Sequence, residues 1–232
     1  MILFDLRVSI IIPVLNEAEN IRQTLLALQD YRQQGHELIV VDGHSQDQTV
    51  ELAKDLCDVL VCSAAGRALQ MNAGAVQARG NILLFLHADT RLPDNALTGM
   101  INTIIKTGRV WGRFDVHLSG RRLMLKVVAH LMNIRSRLTG IATGDQSIFI
   151  QRAIFYKING FANIPLMEDI QISQRLLKES RPVCLRDKVI TSSRRWEKNG
   201  IIRTIVFMWY LRLSYFLGKS PEQLARLYSA TR

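Results

Sequence analysis

The sequence predicts an α/β fold, a mostly parallel sheet with helices on both faces. Two patterns carry that expectation. Runs of Ile, Val and Leu at residues 8–14, 37–42, 59–62 and 82–86 are apolar without alternation, as strands covered on both faces are. Between them lie segments with apolar residues at helical spacing, so strand and helix alternate and βαβ units follow. A third pattern, strict alternation over residues 110–118, adds a half-buried antiparallel strand and so a smaller antiparallel portion.

Taken in order, residues 8–14 end at Pro13-Val14 and lead into Leu15-Asn16-Glu17. Asn16 and Glu19 have capping-box spacing and Ile21, Leu25 and Leu28 recur at helical intervals, so a helix is expected to about Tyr31. Residues 37–42, ELIVVD, are a second strand; a polar loop over 43–49 precedes another helix, and 59–62 are a third strand. Over 66–79, Leu69, Ala73 and Val76 mark a weaker apolar stripe, with Gly80 placed as a C-cap. The fourth strand, in NILLFLHADT over 81–90, runs straight into a polar cluster and then Pro93. Beyond the alternating strand, 122–138 are helix-like and basic, 145–151 (DQSIFIQ) strand-like, 168–178 helical, and 182–190 a last strand. Residues 201–217, IIRTIVFMWYLRLSYFL, approach the length of a membrane span but enclose Arg203 and Arg212. A central charge costs about 2.5–3.5 kcal/mol on insertion, so spanning is not expected. Core packing and contact with a membrane surface both remain open for this helix. Trp209, Tyr210 and Tyr215 with basic neighbours suit an interface, yet the two arginines do not share one polar face.

Length and a 48% hydrophobic composition allow one substantial core. We expect one domain over residues 1–198 and a helical extension over 199–232, packed on the core or on a membrane. The net charge of +10, concentrated late in the chain, calls for an anionic partner or else marks a solvated basic face. No recognition helix or RNA-binding aromatic motif stands out, so no nucleic acid is expected. The three cysteines lack C-x-x-C spacing, which argues against a disulfide framework and a structural zinc. Asp5 and Arg7 interrupt the apolar amino terminus, which fails as a signal peptide. A cytoplasmic location follows, with peripheral attachment at the inner face of the cell membrane through the carboxyl-terminal segment. No G-x-G-x-x-G is present, which counts against a dehydrogenase.

In an open parallel sheet ligands sit beyond the carboxyl ends of the strands, so Asp89 would stand at the mouth of a site. The structural alternative is that Asp89 or Thr90 opens a turn and caps a helix begun by Pro93. Asp42, at the end of the second strand, could likewise serve only the turn with Gly43.

Several short signals in register then resemble one family. SIIIPVLNE over 9–17, VVDGHSQDQT over 40–49, Asn72-Ala73-Gly74-Ala75, His87-Ala88-Asp89-Thr90, Glu168-Asp169 and Arg195-Trp196 look like the motifs of family 2 glycosyltransferases with a GT-A fold, over about residues 8–196. The ending over 215–221 is similar to a bacterial subgroup associated with arsenosugar biosynthesis. The resemblance implies a nucleotide-sugar donor with UDP or GDP, a divalent cation (Mn2+ or Mg2+), inversion at the sugar carbon and an acceptor that it does not identify. Carried over residue by residue, Pro13, Leu15, Glu17, Asp42 and Ala88 would border the nucleotide, and Arg67 would face the diphosphate. Asp89 matches the metal-binding aspartate of a D-x-D motif in which His87 replaces the first aspartate, and an imidazole suits Mn2+ better than Mg2+. Asp169 resembles the base that takes the acceptor proton, with the adjacent Glu168 turned to a different task. Asp145, Arg195 and Trp196 fall on the acceptor side; Ser192 stands where processive synthases carry glutamine, which argues for a single transfer. Two other classes compete: a nucleotidyltransferase, which lacks its glycine-rich lysine loop here, and a non-catalytic basic module binding a membrane or polyanion.

Overall fold

The computed structural model describes residues 6–229; residues 1–5 of the apolar amino terminus and 230–232, with Arg232, lie outside the described residues. Eight strands, β1 (Val8–Val14), β2 (Glu37–Asp42), β3 (Val59–Cys62), β4 (Ile82–Phe85), β5 (Thr90–Arg91), β6 (Trp111–Leu118), β7 (Phe149–Gln151) and β8 (Val183–Thr191), form one sheet in the order β3-β2-β1-β4-β7-β6-β8-β5. β1 to β4 are mutually parallel, as read from their unbroken apolar runs. β7 lies antiparallel between β4 and β6, and β6 runs parallel to β8. The helices are α1 (Ile21–Leu26), α2 (Gln29–Gln33), α3 (Thr49–Ala53), α4 (Arg67–Gln77), α5 (Ala96–Thr107), α6 (Leu123–Thr139), α7 (Arg152–Lys157), α8 (Glu168–Leu176), α9 (Arg194–Asn199), α10 (Ile201–Phe216) and α11 (Pro221–Ser229).

Alternate residues of each central strand enter opposite cores, because successive Cβ atoms point to opposite faces. Ile10 and Ile12 of β1 join Leu25, Met100 and Val128 from α1, α5 and α6. Ile11 joins Met71, Phe155 and Ile172 from α4, α7 and α8. Parallelism also fixes one functional edge. The carboxyl ends of β1, β2, β4 and β8, the start of α4 after β3, the start of β7 and the start of α8 all fall there, so chain segments far apart in sequence meet.

Several local expectations are corrected. Asn16 caps no helix: its φ is +55°, its Oδ1 accepts the Gln46 N–H at 2.8 Å and its own N–H donates to Ser45 Oγ at 2.9 Å. It ties two loops together, and the helix begins only at Ile21 and breaks before Gln29. α4 buries Ala68, Met71 and Ala75 rather than the stripe through Val76, which is exposed. Small residues win because the helix sits tight on the sheet: a Cβ on Gly74 would lie 2.5 Å from Ile11 Cγ2 and 2.9 Å from Val41 Cγ2. Gly80 is no C-cap; a Cβ there would come within 2.7 Å of the Arg7 carbonyl and the Ser9 nitrogen.

No helix starts at Pro93. α5 begins at Ala96 after a left-handed Asn95, and Thr90 is taken by β5, its Oγ1 3.0 Å from Thr191 Oγ1. Neither Asp89 nor Thr90 is therefore a helix cap. β6 is buried almost throughout because α6 packs on the sheet over it, and its charged residues find partners there: Arg113 and Arg137 pair with Asp115, and Arg113 also donates to Ser136 Oγ of α6. Of the strand expected over 145–151 only Phe149–Gln151 pairs; Gly144–Gln146 is a turn of 3-10 helix.

Candidate active site

The edge described above gathers the acidic residues singled out in the sequence. β4 ends at Phe85 and delivers His87, Ala88 and Asp89; the 3-10 turn brings Asp145; α8 opens with Glu168 and Asp169 after Met167, whose φ of +71° turns the chain sharply. A small cavity lined by His87, Gly144, Glu168 and Asp169, with Met71 and Phe161 on its apolar side, lies between them. Gly144 makes this approach possible. A Cβ on it would lie 2.7 Å from His87 Nε2, and its N–H donates to Asp169 Oδ2 at 3.1 Å. Asp169 Oδ1 accepts the Ile170 N–H at 2.7 Å, so backbone donors orient the carboxylate.

The electrostatics separate these groups. Burial and the neighbouring Asp169 push the Glu168 carboxyl up to about 7, against the opposing pull of Arg67. Burial, reinforced by the charges of Asp145 and Glu17, also raises Asp89, with Arg67 again opposing. His87 is held down to about 3 by burial and by Arg67, so its imidazole is neutral. Its Nδ1 lies 3.7 Å from Asp145 Oδ1, and with a neutral ring that contact is not an ion pair. Arg67 is the common positive charge. Enclosure by the cleft works against its ionisation, but Glu168, Tyr228, Asp145 and Asp169 outweigh this and raise it above the ordinary guanidinium range. Its side chain keeps solvent-exposed area, as a group on the wall of an open cleft does.

The nucleotide-side residues lie at the ends of β1 and β2. Pro13 closes β1, Leu15 is exposed at the mouth, and Glu17 accepts from Asn20 Nδ2 at 2.8 Å while its N–H donates to Thr49 Oγ1. Asp42 is buried and both its oxygens accept the Ser45 N–H, at 3.2 and 3.0 Å, so the turn role considered from sequence is present. Ala88 is buried, its carbonyl accepting from Thr24 Oγ1. Trp196 packs against the main core, which is the structural role weighed for it. Arg195 stacks on Tyr228, its Cζ 3.8 Å from the ring centre.

Four contributors were not assigned to the site from sequence, and of these only Tyr215 was named there, for an interface. Gln70 on α4 donates to the Val14 carbonyl at 2.7 Å and to the Val41 carbonyl at 2.8 Å, pinning the ends of β1 and β2. Arg135 on α6 has its Nε and Nη2 buried without a hydrogen-bond partner; burial, with Arg212 adding to it, lowers it to about 10, while Asp169 opposes. Tyr215 and Tyr228 come from the last two helices, which share a cluster of Met167, Ile170, Leu211 and Leu224 with the start of α8. A buried Gln in a helix and an Arg in a basic helix carry no local signal. Only the tertiary approach reveals them.

Among the described residues no three His, Cys, Asp or Glu side chains gather closely enough to cage a metal ion. The profile of glycosyl transferase family 2 matches residues 9–161. The chain belongs to that family. Among curated members it is 39% identical over 110 residues to glycosyltransferase AglE of Haloferax volcanii, a match covering 44% of this chain and 36% of that protein. It is 26% identical to the probable glycosyltransferase YdaM of Bacillus subtilis, over 73% of this chain and 46% of that protein. The chain thus spans less than half the length of either relative. Among solved structures, the mannosyltransferase PcManGT of Pyrobaculum calidifontis, in complex with GDP-Man and Mn2+, superposes with a TM-score of 0.67 at 16% identity, over 98% of this chain and 69% of that one. S. aureus TarS 1-349 in complex with UDP-GlcNAc gives 0.62 at 21% identity, over 80% of this chain and 58% of that one. Likenesses at such identity establish the fold, which is of the GT-A type that the family motifs implied.

Proposed function

We propose that this family member transfers a sugar, with inversion, from a nucleoside-diphosphate donor to an acceptor hydroxyl. The observation that carries the reading is the meeting, at one sheet edge, of Asp89 and its carboxylate neighbours with Arg67 and the Glu168–Asp169 pair. The donor lies along the ends of β1 and β2. Pro13 and Leu15 border the base, Glu17 and Asp42 the ribose, and Ala88 the nucleotide beside Asp89. Arg67, fully charged between carboxylates, meets the diphosphate and stabilises it as it departs. PcManGT was solved with GDP-Man and Mn2+ and TarS with UDP-GlcNAc, which supports a donor of this class.

A divalent cation fits the residues present. Asp89 is raised by burial and then by the charges of Asp145 and Glu17, a repulsion that a bound cation relieves, and sites of this kind take one or two carboxylates from protein and the rest from phosphate. Asp89 would hold it; His87, neutral and thus ligation-competent, is its neighbour. When bound, such a cation supplies positive charge to the diphosphate. Asp169, oriented by two backbone donors and lining the cavity, accepts the acceptor proton, while the charge of Glu168 helps keep Arg67 ionised. Asp145, Arg195 and Trp196 flank the acceptor side.

A second reading makes Glu168 the base, since its carboxyl is tuned to about 7, near the optimum for proton transfer at neutral pH. The pH profile of kcat decides between them: a rise through pH 7 that Glu168→Gln removes assigns the base to Glu168. For the donor itself, calorimetric titration with UDP and GDP, each with and without Mn2+, is the test. Metal-dependent binding of one nucleotide, lost in Asp89→Ala, is expected; binding to neither overturns the reading.

A further inference from the structure

We infer that the exposed apolar faces of α6 and α10 dock on an anionic membrane surface. Among the described residues no helix is long and apolar enough to cross a membrane, yet both of these leave an apolar stripe uncovered. On α6 the stripe is Leu123, Val127, Leu131, Ile134 and Leu138, between 39% and 75% exposed. On α10 it is Ile202, Val206, Trp209, Leu213 and Phe216, between 60% and 68% exposed. Intervals of three and four residues place each set on one helix face. Their opposite faces are satisfied. Leu125, Val128 and Ala129 of α6 and Ile201 of α10 enter the main core, and Leu211 packs with Met167 and Ile170 beside the acid pair.

Charge selects the occupant. Residues 116–144 and 198–221 contain no Asp or Glu, and both segments carry exposed basic residues: Arg121, Arg122 and Lys126 in the first, Arg203 and Lys219 in the second. A second copy would set cationic rims against each other on a chain of net charge +10. An anionic bilayer accepts both components, burying the apolar stripe and attracting the basic rim, with Trp209 and Tyr210 at headgroup depth. The expectation from sequence concerned the carboxyl-terminal segment alone; α6 adds a second exposed apolar stripe. The docking does not depend on the reaction: it can fail while sugar transfer stands, and the reverse.

The test is co-sedimentation of the full chain with phosphatidylcholine vesicles with and without phosphatidylglycerol. Binding to the anionic vesicles, weakened by salt, is expected. Leu131→Glu with Leu138→Glu, and separately Val206→Glu with Leu213→Glu, should each weaken binding roughly tenfold or more. Because these side chains are exposed, thermal unfolding should be unchanged, which shows the variants fold. The inference is overturned if the wild type ignores anionic vesicles at low salt, or if either pair binds like the wild type. It is equally overturned if sedimentation equilibrium shows a dimer that the same substitutions dissolve.

Discussion

Glu168 carries the clearest single-residue consequence. Its folded pKa of about 7 lies above the ordinary 4.5, so the native state binds its proton more tightly than the unfolded chain. Stability is therefore lost as pH rises from near 4.5 to near 7, and the deficit persists above that. Glu168→Gln should be more stable than wild type at pH 8 by roughly 1–3 kcal/mol, and equal to it at pH 4, by urea midpoints. Gly144→Ala tests the neighbouring contact. The added methyl must displace His87 or the loop, moving the N–H away from Asp169; kcat should fall at least about tenfold with little change in melting temperature. Asp89, Glu168 and Asp169 were legible in sequence because each lies in a short motif at an element boundary. Gly144 was not singled out, because what it must avoid, the ring of His87, is far away in sequence. Arg135 had no signal at all.

At the scale of elements, α4 shows how a motif and a packing requirement coincide. Asn72-Ala73-Gly74-Ala75 was read as a family signature, and the physical demand at Gly74 is contact with Ile11 and Val41. Gly74→Ala should cost about 1–3 kcal/mol by overpacking. Lifting α4 also moves Arg67 at its first turn and Gln70, which holds the ends of β1 and β2, so nucleotide affinity should fall in the same variant by calorimetry. The parallel strands were legible because burial on both faces leaves no alternation; β6 was misread as half-buried because Arg113 and Asp115 look like solvent-facing residues until they pair inside. α10 was left between core and membrane; one of its faces enters the core through Ile201 and Leu211, and the other stays exposed. Ending the chain at residue 198 removes Leu211 and Leu224 from above Met167 and Ile170. The truncated chain should melt lower and lose kcat more than donor affinity, since α8 carries the acid pair while the nucleotide side rests on β1 and β2.

For the whole molecule, the site joins segments from almost the full length of the chain: the loop after β1, the ends of β2 and β4, the starts of α4 and α8, and Tyr228 of α11 beneath Arg195. A ligand bound there contacts elements from both ends of one continuous sheet, so binding should stabilise the chain as a unit rather than one half of it. At a hundredfold excess over its Kd, the nucleotide adds about 2.7 kcal/mol to unfolding. For a chain of this size that corresponds to a rise of roughly 5–11 °C in melting temperature. The expected outcome with UDP or GDP plus Mn2+ is one transition moved upward intact. A transition that splits, with only one part moving, would mean that the carboxyl-terminal helices unfold separately from the sheet and do not complete the site. Salt separates the two contributions to that binding. The long-range field of a +10 chain is screened beyond about 10 Å at 0.1 M salt, whereas Arg67, on the wall of the cleft, acts on the diphosphate at contact. Added salt should therefore slow nucleotide association more than it speeds dissociation, and Arg67→Met should do the reverse.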